Sequence, residues 1–273
     1  MNADHNKPLV AIDIGNSQIM AGFFSPKIIG EIGNSLPEPH RVLSLQTQDW
    51  DPMEWNRWLA PLRPCDVNWC IGSVCDHAAD VLQDWLKNES DDLFARILDF
   101  RDLLIEIEIP SPASIGIDRL LGAVAANCIR PPDRPAIVID LGSAITVDVI
   151  SAQGSFRGGA ILPGIQMSGR ALHAFTDRLP QISPPQGPPP SPVGRSTEEA
   201  ISSGIYWGTV GALRMLVSEF RAEMSEPPIT ILTGGNAPLV AEALDGEVRC
   251  ESHLILAGIA TVVDSICQAQ RDP

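Results

Sequence analysis

One pattern occurs twice in this chain: an apolar run closed by aspartate, then a glycine turn, then a second apolar run. The first copy runs from Leu9 to Phe24 around Asp13-Ile14-Gly15-Asn16-Ser17, and the second from Ala136 to Ile150 around Asp140-Leu141-Gly142-Ser143. Each reads as strand, tight turn, strand, because short apolar runs broken by glycine and small polar residues suit hairpins. Such a repeat restricts the fold to two related α/β halves facing each other across a cleft. The division is expected near residue 115, giving halves 1–115 and 116–273.

The other segments supply strands and helices for both halves. Residues 8–33 read as one strand followed by two more, 51–62 as a helix, 67–74 as a buried strand and 78–86 as a helix; 103–109 reads as extended. Residues 118–129 form an apolar helix rich in small residues. Residues 197–222 form a long helix whose Gly204, Gly208 and Gly211 permit close approach of another helix, internally or across a dimer. The stretch 181–192 is too rich in proline for helix or inner strand and reads as a stiff surface loop. A strand at 229–232, a TGGN turn, a helix, a strand at 252–256 and a last helix complete the reading.

Charge and cysteine usage exclude several function classes. Lys and Arg total 19 against 34 Asp and Glu, a net charge of −15. That excess repels nucleic acid and anionic membranes, so neither is an expected partner. The first residues, MNADHNKPLVAI, carry no signal-peptide pattern, and no apolar run is long enough to span a bilayer, so the expected location is cytoplasmic. Six cysteines lack C-x2-C spacing, and five scattered histidines form no metal motif, so reduced, mostly buried thiols are expected. No Walker-type G-x-x-x-x-G-K-[ST] occurs anywhere in the chain.

The two turns carry the first candidate chemistry. Glycine lets backbone N–H groups approach a phosphate, Ser17 adds a hydroxyl, and an aspartate at a strand end can hold Mg²⁺ or its waters. Alone, either turn is also ordinary hairpin chemistry; two copies closing buried strands resemble the nucleotide site of the actin, sugar-kinase and Hsp70 superfamily. Gly234-Gly235-Asn236 reads either as a surface for adenine or ribose or as a plain strand-to-helix turn. Asp118, in Gly116-Ile117-Asp118-Arg119, reads either as a helix N-cap or as the acceptor of an alcohol proton during phosphoryl transfer. Arg119 suits a surface ion pair, an anionic substrate, or the charge on the transferring phosphoryl group.

Six ordered blocks then resemble type III pantothenate kinase: DIGNSQIMAGFF (13–24), GIDRLLGAVAA (116–126), IDLGSAITVDVI (139–150), GGAILPGIQMSGRALHAFTDRLP (158–180), GRSTEEAISSGIYWG (194–208) and LTGGNA (232–237). The resemblance implies two ribonuclease-H-like halves, ATP-dependent phosphorylation of pantothenate as the first step of coenzyme A synthesis, and a homodimer. It implies that Asp118 accepts the hydroxyl proton and that Gly116, Ile117, Asp118, Arg119 and Thr197 contact pantothenate. Asp13, Ile14, Gly15, Asn16, Ser17, Gln18, Ile19 and Met20 would wrap the ATP phosphates, with Asp13 organising Mg²⁺. Ser143 would contact nucleotide, and Asp140 would bind a monovalent cation, K⁺ or NH₄⁺. Serine stands at 17 and 143 where the family commonly has threonine, and Ile109 stands where a substrate-lining tyrosine is common.

Two other readings compete with the kinase. One is a non-catalytic regulator like the Bvg accessory factor proteins; the other is a superfamily phosphatase acting on water. The regulator reading is weakened by the presence of Asp13, Asp118 and Asp140 together, and the phosphatase reading by the 116–119 and 194–200 blocks.

Overall fold

The computed structural model describes residues 7–26, 35–90, 93, 95–183 and 187–269. By packing, these form two compact units: Met1–Ile129 with His253–Pro273, and Arg130–Ser252.

In the first unit, β1 (Leu9–Ile14) pairs antiparallel with β2 (Gln18–Phe24) and parallel with β4 (Asn68–Ser73). β3 (Arg41–Gln46) and β5 (Arg96–Ile97) extend the two edges, giving the order β3-β2-β1-β4-β5. α1 (Pro52–Leu59) and α2 (Asp76–Glu89) bury an aromatic core against this sheet. Trp55 is fully buried at its centre, its ring 5.7 to 6.2 Å from those of Trp50, Trp58, Trp69 and Trp85. Three of these contacts are edge-to-face and the one with Trp85 is stacked; they add to the large apolar area that each indole removes from water.

The same unit holds α3 (Ile117–Ile129) and α7 (Leu254–Ala269), which pack on each other and on β1 and β4. Gly258 makes that approach possible, because a Cβ there would overlap the carbonyl of Leu121. The repeat alone put a division near residue 115. By packing, α3 and the C-terminal helix lie with the first sheet, because that sheet buries their apolar faces.

In the second unit, β6 (Ala136–Leu141) pairs antiparallel with β7 (Ala144–Ile150) and parallel with β9 (Ile229–Thr233). β8 (Phe156–Pro163) and β10 (Val248–Cys250) take the edges, so the order is β8-β7-β6-β9-β10. Strand by strand this is the first sheet again, with the same parallel and antiparallel pairings. α4 (Ile165–Ala174), α5 (Thr197–Ala222) and the short α6 (Ala237–Val240) complete the unit, and α5 has the expected bounds.

Several expectations fail for local reasons. No element was expected over 41–46, where β3 forms, because its alternation is short and flanked by proline and charge. The further strand expected before residue 33 falls on 27–34, outside the described residues. Residues 103–109 carry only an isolated bridge at Ile107. The strand expected at 252–256 is instead Val248–Cys250, and Leu254–Leu256 open α7, since a short apolar run fits either state. Of the cysteines, only Cys70 and Cys267 are buried, while Cys65 and Cys250 are exposed. Burial pushes the Cys70 thiol up to about 12. Among the described residues no helix is long and apolar enough to cross a membrane.

Candidate active site

In the first unit the candidate residues gather at the carboxyl ends of β1 and β4. Asp13 is the fifth residue of β1, half-buried, opposite Met20 on one side and Gly72 on the other. Ile14 and Ile19 are fully buried, so only their backbone is available to a ligand. Between them the hairpin tip exposes Asn16, Ser17 and Gln18. Gly15 closes the turn, its N–H donating to the carbonyl of Gln18 at 3.0 Å.

Thr47, just beyond β3, ties this loop down, and nothing in the sequence marked it. Its hydroxyl donates to the Gly15 carbonyl at 2.8 Å and its N–H to the Ser17 carbonyl at 3.2 Å. Thr47 is 8% exposed. Two carbonyls of the turn are thereby engaged from outside. Gln18 turns to β3, its amide donating to Ser44 Oγ at 2.6 Å.

Asp118 lies inside the first turn of α3, one residue past the helix start, so it is not an N-cap. Its Oδ1 accepts from the Arg119 N–H at 2.8 Å. The helix start is packed on the strand ends that carry Asp13. A Cβ on Gly116 would lie 3.5 Å from Val74, whose N–H donates to the Ile14 carbonyl at 3.0 Å. A Cβ on Gly72 would likewise lie 3.8 Å from Ile117 and closer still to Leu121. Burial raises the Asp118 pKa above the ordinary carboxylate value, against the opposing pull of the Arg119 N–H and charge. Ile117 is buried in the core, so its side chain offers a substrate nothing polar.

In the second unit the equivalent strand ends carry Asp140 and Ser143. Asp140 holds the place in β6 that Asp13 holds in β1: fifth of six residues, half-buried, opposite Thr146 and Thr233. The second hairpin is tighter. Leu141 pairs with Ile145 and leaves residues 142–144 in the loop, whereas Ile14 pairs with Ile19 and leaves 15–18.

The TGGN turn clasps this hairpin. Asn236 donates both its N–H and its side-chain amide to the Leu141 carbonyl at 3.2 Å. Gly234 has φ +87° and lies against Asp140 and Leu141, where no Cβ fits. Gly164, the first cap of α4, is equally crowded by the carbonyls of Gly142 and Ser143. Gly235 faces open space. Thr197 opens α5, capped by the Ser196 side chain, and lines an apolar groove of about 860 Å³ with Gly204 and Gly208.

The sequence profile of type III pantothenate kinase matches residues 9–219. The chain belongs to the type III pantothenate kinase family. A type III pantothenate kinase of Acidiphilium cryptum is 42% identical over 184 residues, 67% of this chain and 66% of that protein. The chain thus spans just under two thirds of that relative. One from Parafrankia sp. is 34% identical over 268 residues, covering 94% of this chain and 97% of its own.

Solved structures agree on the fold. A Baf family protein of Campylobacter jejuni, described as a transcriptional activator, has a TM-score of 0.56 at 22% identity, covering 95% of this chain and 99% of its own. The activator of 2-hydroxyisocaproyl-CoA dehydratase from Clostridium difficile, with bound ADPNP, scores 0.55 at 12% identity over 97% of both chains. At such identities the likeness speaks for the fold alone, which is the expected actin-like, two-unit α/β class.

Proposed function

We propose that this chain transfers the γ-phosphoryl group of ATP to the hydroxyl of pantothenate, giving 4'-phosphopantothenate. Family membership supports this reaction, and so does one observation of this structure. The half-buried carboxyl of Asp118, its pKa raised by desolvation, stands at a helix start packed on the strand ends that carry the first phosphate hairpin.

In this reading the backbone N–H groups of the 15–18 turn, with the Ser17 hydroxyl, hold phosphate oxygens. Ser143 contacts the nucleotide. Gly116, Arg119 and Thr197 contact pantothenate, and Arg119 meets its carboxylate. The substrate oxygen attacks the γ-phosphorus while the bond from that phosphorus to the β,γ-bridging oxygen breaks, and ADP leaves. Asp118 takes the proton from the attacking oxygen. A carboxyl whose pKa burial has raised is a better acceptor than an ordinary one, provided it is ionised at the working pH.

The residues present fit the cations the reaction needs. Among the described residues, no three His, Cys, Asp or Glu side chains gather into a metal cage. A single carboxylate at a strand end, Asp13, suits Mg²⁺, which keeps several waters and shares phosphate oxygens. Bound there, Mg²⁺ would offset negative charge on the phosphates. Asp140 would hold K⁺ or NH₄⁺.

A homodimer belongs to the same proposal. The Gly204, Gly208 and Gly211 positions of α5 face open space, and Phe175, Val193 and Met215 are 88%, 74% and 61% exposed. Apolar exposure on this scale suits a second copy of the chain. The expected setting is the cytoplasm.

The test is ADP release with pantothenate, measured with and without K⁺. Pantothenate-dependent release is expected, and its absence in every cation would overturn the proposal.

A further inference from the structure

We propose that the second unit carries a small-oxyanion site, of the phosphate or sulfate class, separate from both phosphate hairpins. It lies between the C-terminal half of α5, the start of β9 and the turn at 244–246. Arg214, Ser218 and Arg221 project from one face of α5 at helical spacing and, with Thr230 and Asp245, line a cavity of about 140 Å³.

Two buried polar atoms in that lining have no partner among the described residues. Thr230 is 1% exposed, and neither its Oγ1 nor the buried Nε of Arg221 makes a hydrogen bond there. Leaving such groups unsatisfied is costly, so native structures rarely do it without a ligand or water. Guanidinium nitrogens only donate, so whatever satisfies Arg221 must accept.

Charge and shape narrow the class. Arg214 is engaged at the rim, its Nε donating to the Ala243 carbonyl at 2.6 Å and standing 3.6 Å from the Asp245 carboxylate. Arg221 Nη2 donates to the Asp245 carbonyl at 3.4 Å. Two guanidiniums against one carboxylate leave one positive charge over, which rejects a cation and favours an anion. Gly246, at φ +95°, lies against the Arg221 guanidinium, where an added Cβ would push the end of that side chain aside. The volume takes a few waters at about 30 Å³ each, or one tetrahedral oxyanion with its remaining waters. Thr230 precedes Gly234 by four residues on β9, roughly 13 Å of strand, so this is not the turn that clasps Asp140.

The test uses the full chain saturated with Mg²⁺ and a non-hydrolysable ATP analogue. Thermal unfolding is followed in inorganic phosphate and in chloride at matched ionic strength. Phosphate is expected to raise the wild-type midpoint, and Arg221→Gln and Thr230→Val should each lose that rise while keeping wild-type turnover. Thr230→Val should also unfold at a higher temperature without phosphate, having lost a buried orphan hydroxyl; it carries the test if Arg221→Gln does not fold. Crystals soaked in selenate should show an anomalous peak between Arg221 Nε and Thr230 Oγ1. A wild type indifferent to phosphate, an undiminished rise in Thr230→Val, or water alone in the cavity would each overturn the proposal.

Discussion

A Cβ placed on Gly116 would lie 2.5 Å from Oδ1 of Asp118, so the carboxylate keeps its position only because residue 116 has no side chain. Gly116→Ala should push the acceptor off its line to the substrate hydroxyl. Misplacing a reacting group by about 1 Å can cost about 10²-fold in rate. We expect kcat to fall by that order with ATP affinity kept, read from steady-state kinetics and nucleotide titration. A variant with unchanged kcat would separate Asp118 from the chemistry.

Asp118→Asn tests the same carboxylate from two sides. Turnover should drop by about 10²–10⁴-fold, as for loss of a general base. Stability should move the other way. Because burial raises the Asp118 pKa, the fold favours the protonated form, and stability is lost as pH rises from the unfolded value through the raised one. An uncharged amide escapes that loss, so the variant should melt above wild type at neutral pH and match it in acid. The acid limb of the wild-type kcat/KM profile should accordingly lie above the ordinary carboxylate range. Equal melting temperatures at neutral pH would contradict the burial argument.

The repeated Asp-x-Gly pattern made the paired hairpins readable, because period-2 apolar runs and glycine turns are local signals. The two sheets bear that reading out down to the shared register of Asp13 and Asp140. What stayed hidden depends on contacts distant in sequence. Thr47 lies 32 residues from the Gly15 carbonyl it bonds, and β3 before it is too short to stand out among polar residues. The glycine pair at 234–235 allowed either a ligand surface or a plain turn; Gly234 packs on the hairpin, and Gly235 faces open space. Asp118 also allowed a helix cap on sequence; the helix start at Ile117 puts it inside the first turn, which removes the cap but says nothing of the acceptor role.

Thr47 should act as a positioning residue for the phosphate turn. Thr47→Val keeps the shape and removes the hydroxyl that holds the Gly15 carbonyl. Losing one hydrogen bond of about 1 kcal/mol should raise the KM for ATP roughly fivefold while leaving kcat nearly unchanged. Thr47→Ser retains the hydroxyl and should restore the wild-type KM, which a purely packing role would not predict. Equal KM values for the valine and serine variants would remove Thr47 from this role.

Gly234→Ala is the sharpest test of the second hairpin, because two independent constraints meet there. A φ of +87° costs a non-glycine residue about 1–3 kcal/mol. The added methyl would also overlap both the Asp140 carboxylate and the Leu141 backbone, so both must shift. The backbone shift and the φ cost together should lower the melting temperature. Moving the carboxylate should also weaken activation by K⁺, because Asp140 no longer sits where the cation is proposed to bind. Both effects can be read on the same preparation. A variant that melts like wild type and keeps its full K⁺ response would mean that the clasp around Asp140 is not as tight as the crowding at Gly234 requires.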